Sequence, residues 1–162
     1  MAETGLELFA RELQGMYAAE LRMMDLLQNL SDEVTDQELS RAFGRHRSVT
    51  QEQIRRIESI FERARIEREK GPCEGFEGLV AEFENFVYKE KSPDRVKDVF
   101  ATSVGIKIEY YEMISYKELI KLANNSSMNW AAMLLHDSLQ EERQASDELE
   151  RISHSIGQRI TS

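Results

Sequence analysis

The stretch Gly105–Tyr116, GIKIEYYEMISY, decides how the chain folds. Its apolar and aromatic residues recur at steps of three and four, the period of a helix, and no proline interrupts it. Two carboxylates, Glu109 and Glu112, stand three residues apart among them, so a helix carries both on one face. Ile106, Met113 and Tyr116 occupy that same stripe. The reading turns on whether these acids face water or point into the core that their neighbours are built to fill.

The rest of the chain has the same period. A first helix is expected from about Gly5 to Ser31, with Thr4 and Glu7 as a capping box at its start. A second is expected from about Asp36 to Arg68, where Thr35 and Glu38 offer the same signal. EKGPCEG then breaks the chain at Gly71, Pro72 and Gly75. A short amphipathic segment follows, from about Phe76 to Tyr88. Ser92-Pro93 opens a fourth helix, with the proline where its missing N–H costs nothing, and that helix ends near ANNSS. The fifth runs from about Ser127 to Ile156. No sustained alternation marks a strand.

Composition allows this. The 162 residues fit a single domain over 1–162, with 41% hydrophobic and 31% charged residues and only two prolines. The net charge of −9 argues against nucleic acid and anionic membranes as partners, and with them a DNA-protecting ferritin cage. One cysteine, Cys73, cannot form an intramolecular disulfide, which suits the reducing cytoplasm. The opening MAETGLELFARELQ lacks a basic region followed by an apolar core, so no signal peptide is expected. No run of about 18 apolar residues is present to span a membrane.

The connections imply topology. The first two helices are joined by a short turn, as are the last two, so each pair is an antiparallel hairpin. The long connection between helices two and four is enough to travel the length of a bundle, which is the ferritin-like arrangement. The expected fold is therefore all-α: a ferritin-like four-helix bundle with a short fifth helix in the long crossover. An up-down bundle with an extra helix across one end is the alternative.

Each long helix has a seam, and each seam turns polar near its middle. The first carries Leu6, Phe9, Leu13, Met16, Glu20, Met23, Leu27 and Leu30. The second carries Leu39, Phe43, His46, Thr50, Gln53, Ile57, Ile60 and Ala64. The fourth has Val99, Thr102, Ile106, Glu109, Glu112 or Met113, Tyr116 and Leu119; the fifth has Leu135, Leu139, Glu142, Ser146, Leu149 and Ile152. Glu20 and His46 are equally far from the first turn, roughly 20 Å at about 1.5 Å per residue. Glu109, Glu112 and Glu142 share a level in the second hairpin. The sequence does not relate one hairpin's level to the other's.

Moving an ionised carboxylate into an apolar interior costs several kcal/mol even after relaxation. No lysine or arginine occupies the seams to pair with these acids. Protons, water or a metal ion remain. A lone seam glutamate is commonly a side chain reaching for the edge, and a lone His46 a satisfied core histidine. Their conjunction on four helices favours a cation instead. Carboxylates with one imidazole suit iron, manganese or zinc, the pattern of carboxylate metal sites in bundle cores. The candidate ligands are Glu20, His46, Glu109, Glu112 and Glu142. Tyr17, Tyr110, Tyr111 and Tyr116 are read as core and rim aromatics, with a place lining the site as the lesser reading of Tyr116, and Met16, Met23 and Met24 as core filler.

MYAAEL, AFGRHRSVTQEQIRRIE, PCEGFEGLVAE, DVFATSVGIKIEYYEMISYKELIKLA and LLHDSLQEERQASDEL together resemble the ferritin-like stress proteins of the YciE/YciF type, over roughly Leu8 to Leu149. The resemblance implies a ferritin-like bundle, homodimers through helix faces, and a metal site between the helices holding iron, mono- or dinuclear. It implies no defined catalytic activity. Carried over by position, Glu20, His46, Glu109, Glu112 and Glu142 fall where the family places inward polar groups. Ser48 and Val49 stand where the family usually has acids, Ser146 where it has an aspartate, and Tyr110 where a histidine is common. A single metal, a weaker site, or a site retired to structure all remain open. The rival reading is a non-catalytic helical stress or interaction protein whose polar core holds protons and water.

Overall fold

The computed structural model describes residues 4–160, apart from the side chains of 159 and 160, and over these the chain forms five helices with no strand. Residues 1–3, part of the stretch read for a leader, and 161–162 lie outside the described residues. α1 spans Gly5–Glu33, α2 Gln37–Ala64, α3 Glu74–Lys89, α4 Asp94–Asn125 and α5 Asn129–Ile160.

The helix ends follow from local chemistry. The Thr4 hydroxyl accepts from the Glu7 N–H at 3.2 Å, and the Glu7 carboxylate accepts from the Thr4 N–H at 3.0 Å, which is the expected capping box. The Thr35–Glu38 box does not form. Asp36 caps α2 instead, accepting from the Glu38 and Leu39 N–H groups at 3.0 Å, because Thr35 is engaged by Asp98. α2 stops at Ala64, short of the expected Arg68. Arg65 turns left-handed (φ 56°) and the Ile66 N–H closes the end on the Phe61 carbonyl. Ser127, also left-handed (φ 58°), delays α5 to Asn129. Pro93 precedes the first turn of α4 rather than lying in it.

Four neighbouring pairs ring the bundle: α1–α2, α2–α5, α5–α4 and α4–α1. α3 lies outside, against α4 and α1. One residue sets how the two hairpins meet. Asp98, in the first turns of α4, accepts from Thr35 N–H (2.7 Å), Thr35 Oγ1–H (2.7 Å) and Asp36 N–H (3.1 Å). The start of α4 is thereby locked to the α1–α2 turn. α4 runs parallel to α2, and the crossover has travelled the length of the bundle. Glu109 lies eleven residues beyond Asp98, and His46 ten beyond Asp36. At about 1.5 Å per residue, the two hairpins therefore bring their polar groups to one level.

The apolar interior is in two pieces. One, toward the α1–α2 turn, contains Met23, Leu27, Phe43, Ile108, Leu149 and their neighbours, with Phe76 and Phe83 of α3. The other contains Leu13, Met16, Ile57, Met113, Tyr116 and Leu139. Between them lies a belt of buried polar residues: Glu20, His46, Thr50, Gln53, Glu109, Glu112, Glu142 and Ser146. Gly105 lets the upper piece close over the belt, since a Cβ there would come within 3.1 Å of Leu149 and 3.3 Å of Phe43. Leu6, expected on the first seam, is half exposed because it lies in the first turn, beyond the core.

Candidate metal centre

The acids point inward. Glu20, Glu112 and Glu142 are 0% exposed, Glu109 1% and His46 7%. α2 supplies His46, α4 Glu109 and Glu112, and α5 Glu142. One ligand atom from each of these four lies within 4.8 Å of the others. His46 Nε2 stands 3.4 Å from Glu109 Oε1 and 3.4 Å from Glu142 Oε2. Three helices thus converge side chains that a single helix face could not.

Glu20 of α1 is not one of the four. Its Oε1 accepts a hydrogen bond from the Tyr116 hydroxyl, while its Oε2 has no partner. Tyr116, read from sequence as a core aromatic, therefore lines the site. Its signal was its place on the seam of Glu109 and Glu112. Gln53, on the α2 seam, donates from Nε2 to Glu142 Oε1. Thr50 turns its hydroxyl back to the His46 carbonyl at 3.1 Å, leaving the imidazole free to face inward. Tyr110 lies at the surface, 51% exposed, and donates to Glu150 at 3.1 Å.

Little else satisfies the acids. Both oxygens of Glu109 and of Glu112, Glu142 Oε2, His46 Nε2 and Ser146 Oγ are buried without a hydrogen-bond partner. Buried polar atoms are nearly always paired, so such a concentration calls for a physical reason. Arg56 is a nearby cation, but its guanidinium is held by Glu141, with Nη2–Oε1 at 2.7 Å.

Burial raises the pKa of Glu109 well above the ordinary carboxylate range, and the charge of Glu142 raises it further. Burial does the same to Glu20, again with Glu142 adding, and the Tyr116 hydrogen bond only partly opposes it. Glu112 is raised by burial and then by Glu20. The Tyr116 phenol is pushed well up, first by burial and then by Glu20. Each group disfavours its neighbours' negative charge, so the arrangement favours positive charge, as protons or as a metal ion.

Fold and site together define a ferritin-like helical bundle with a carboxylate and histidine cluster in its core. Residues 4–161 match the family described as "Domain of unknown function (DUF892)". The chain belongs to that family, of which the YciF-type stress proteins expected from the motifs are relatives. It is 31% identical over 138 residues to protein YciF of Escherichia coli (strain K12), covering 85% of this chain and 82% of that protein. The crystal structure of the E. coli stress protein YciF superposes with a TM-score of 0.92 at 27% identity, covering 97% of this chain and 99% of that one. YcfI of Rhodopseudomonas palustris, described provisionally as a structural protein, superposes with a TM-score of 0.86 at 25% identity, over 91% and 94% of the two chains.

Proposed function

We propose that this chain is a YciF-type stress protein that binds a metal ion in its core, with iron as the first choice and manganese or zinc as alternatives. His46, Glu109, Glu112 and Glu142 would hold the ion, and Glu20 is the adjacent carboxylate that could bridge to a second. The observation that carries this reading is the set of buried oxygens on Glu109, Glu112 and Glu142 without a hydrogen bond, gathered around an imidazole nitrogen 3.4 Å from two of them. Carboxylate oxygens with one imidazole suit a hard or borderline divalent cation. A redox-active ion, when bound, would supply electron exchange with dioxygen or peroxide. The chain's own groups would fix it in place, keep bulk water out and neutralise its charge.

In this reading the protein is cytoplasmic and homodimeric through helix faces, and its mass by size-exclusion chromatography tests the dimer. Among the described residues, no helix is long and apolar enough to cross a membrane. The metal reading is tested by thermal unfolding with and without chelator and with added Fe²⁺. An ion that binds only the folded state at about 100 times its Kd stabilises it by about 2.7 kcal/mol. A second reading, a non-catalytic helical protein with a proton-filled polar core, is favoured by the raised carboxyl pKa values. It predicts negligible bound metal and unchanged melting under the same additions.

A further inference from the structure

A sealed polar belt needs a way in, and among the described residues one groove reaches a member of the cluster. Of the five candidate ligands, only His46 has an edge at the surface. That edge lies in an open groove of about 190 Å³ between α2 and α5, walled by Arg45, Val49, Gln144, Ala145 and Glu148. Adjoining it is a narrow pocket of about 10 Å³ whose lining includes Phe43 and Glu109. That volume is near the room one water-sized body needs. The groove and the pocket share His46, Ala145 and Glu148 in their linings. The route from the groove toward Glu109 therefore passes the imidazole, Ala145 and Glu148, with Phe43 and Leu149 lining its inner end. The open hollows beside Met133 and beside Ser59 share no lining residue with the cluster.

We infer that the α2–α5 groove is the passage by which a divalent cation reaches the buried cluster, with the His46 imidazole as its inner threshold and the Arg45–Glu148 ion pair as a flap at its mouth. The inference rests on the metal-centre reading above. Arg45 is more than half exposed and pairs with Glu148 across the rim, so it can swing aside without disturbing the core. Glu141 on the far side is held in place by Arg56. The rim's charges nearly balance, so the pull on the cation comes from the carboxylates below rather than from a charged funnel.

The test is the kinetics of Co²⁺ uptake by the metal-free full chain, followed by stopped-flow absorbance. Val49→Phe and Ala145→Leu plug the groove from opposite walls. Both positions are half-buried, so the added atoms fill the groove rather than the core. Ser59→Phe fills the unrelated hollow as a control. Each plug should slow uptake at least about tenfold, because access then waits for the walls to open. Release into excess chelator should slow in step, with bound Co²⁺ per chain unchanged, and Ser59→Phe should change neither. Full loading at wild-type rates in a folded plugged variant overturns the passage and leaves the metal centre standing. No Co²⁺ bound by the unmodified protein overturns the metal centre and the passage with it. Should one plugged variant fail to fold by circular dichroism, the other carries the test.

Discussion

Asp98 and Glu109 lie eleven residues apart on α4, both nearly sealed from water, and the fold treats them in opposite ways. Asp98 receives three donors from Thr35 and Asp36. Glu109 receives none on either oxygen. The first is a carboxylate whose partners come from the chain, and it locks one hairpin to the other. The second is a carboxylate to which the chain gives no hydrogen bond, only the His46 imidazole at 3.4 Å. Burial alone is therefore a poor sign of a ligand. The useful sign is burial with acceptors left unfilled, because that leaves a cost which only a proton or a cation offsets.

The contrast can be broken or sharpened by substitution. The largest effect is expected for Asp98→Ala, which strips three donors of their acceptor. It should cost about 3 kcal/mol in urea unfolding, while metal bound per folded chain stays at the wild-type level. A loss below about 1 kcal/mol would mean that the clamp is incidental.

Glu112→Gln should act in the opposite direction on the metal-free protein. Unfolded, Glu109 and Glu112 titrate near the ordinary value of 4.5; folded, they titrate well above it. The folded state thus holds more protons between those values. The stability these groups contribute is fully present below pH 4.5 and is lost as pH rises through the folded values. Glu112→Gln removes one such group, so at neutral pH it should stabilise the metal-free protein by about 1–2 kcal/mol and flatten its fall in stability above pH 5. Destabilisation at neutral pH would show that Glu112 already has a partner.

Glu20 lies between the two extremes, with one oxygen satisfied by Tyr116 and one bare. Tyr116→Phe should therefore cost an intermediate amount, about 1–1.5 kcal/mol in the metal-free protein, and less once metal is added. Smallest of all is Thr4→Ala. It removes one half of a solvent-exposed capping box and should cost about 0.5–1 kcal/mol by thermal unfolding, with metal content untouched.

The sequence made the bundle legible because its helices are long, uninterrupted and capped, and because its seams keep their period through the polar belt. His46, Glu109, Glu112 and Glu142 were legible for the same reason: a glutamate that interrupts an apolar stripe has nowhere else to point. Asp98 was not. It lies one residue off the Val99 seam, and its donors are 62 and 63 residues away on another hairpin. The end of α2 was not legible either, because helical period continues past Ala64. There the chain turns at Arg65, so that Gln14 can donate to the Glu67 carbonyl and accept from the Gly71 N–H. The hydrogen bond from Tyr116 to Glu20 is a tertiary pairing that periodicity does not carry.

The central claim is that the belt's bare acceptors are there to hold a metal ion. Elemental analysis of protein purified from iron-supplemented cells tests it most directly, comparing the unmodified chain with Glu109→Ala and with Glu118→Ala, a surface carboxylate on the same helix. The account predicts near-stoichiometric metal in the unmodified protein and in Glu118→Ala, and its loss in Glu109→Ala. Equal metal in the two variants, or none in any of the three, would contradict it.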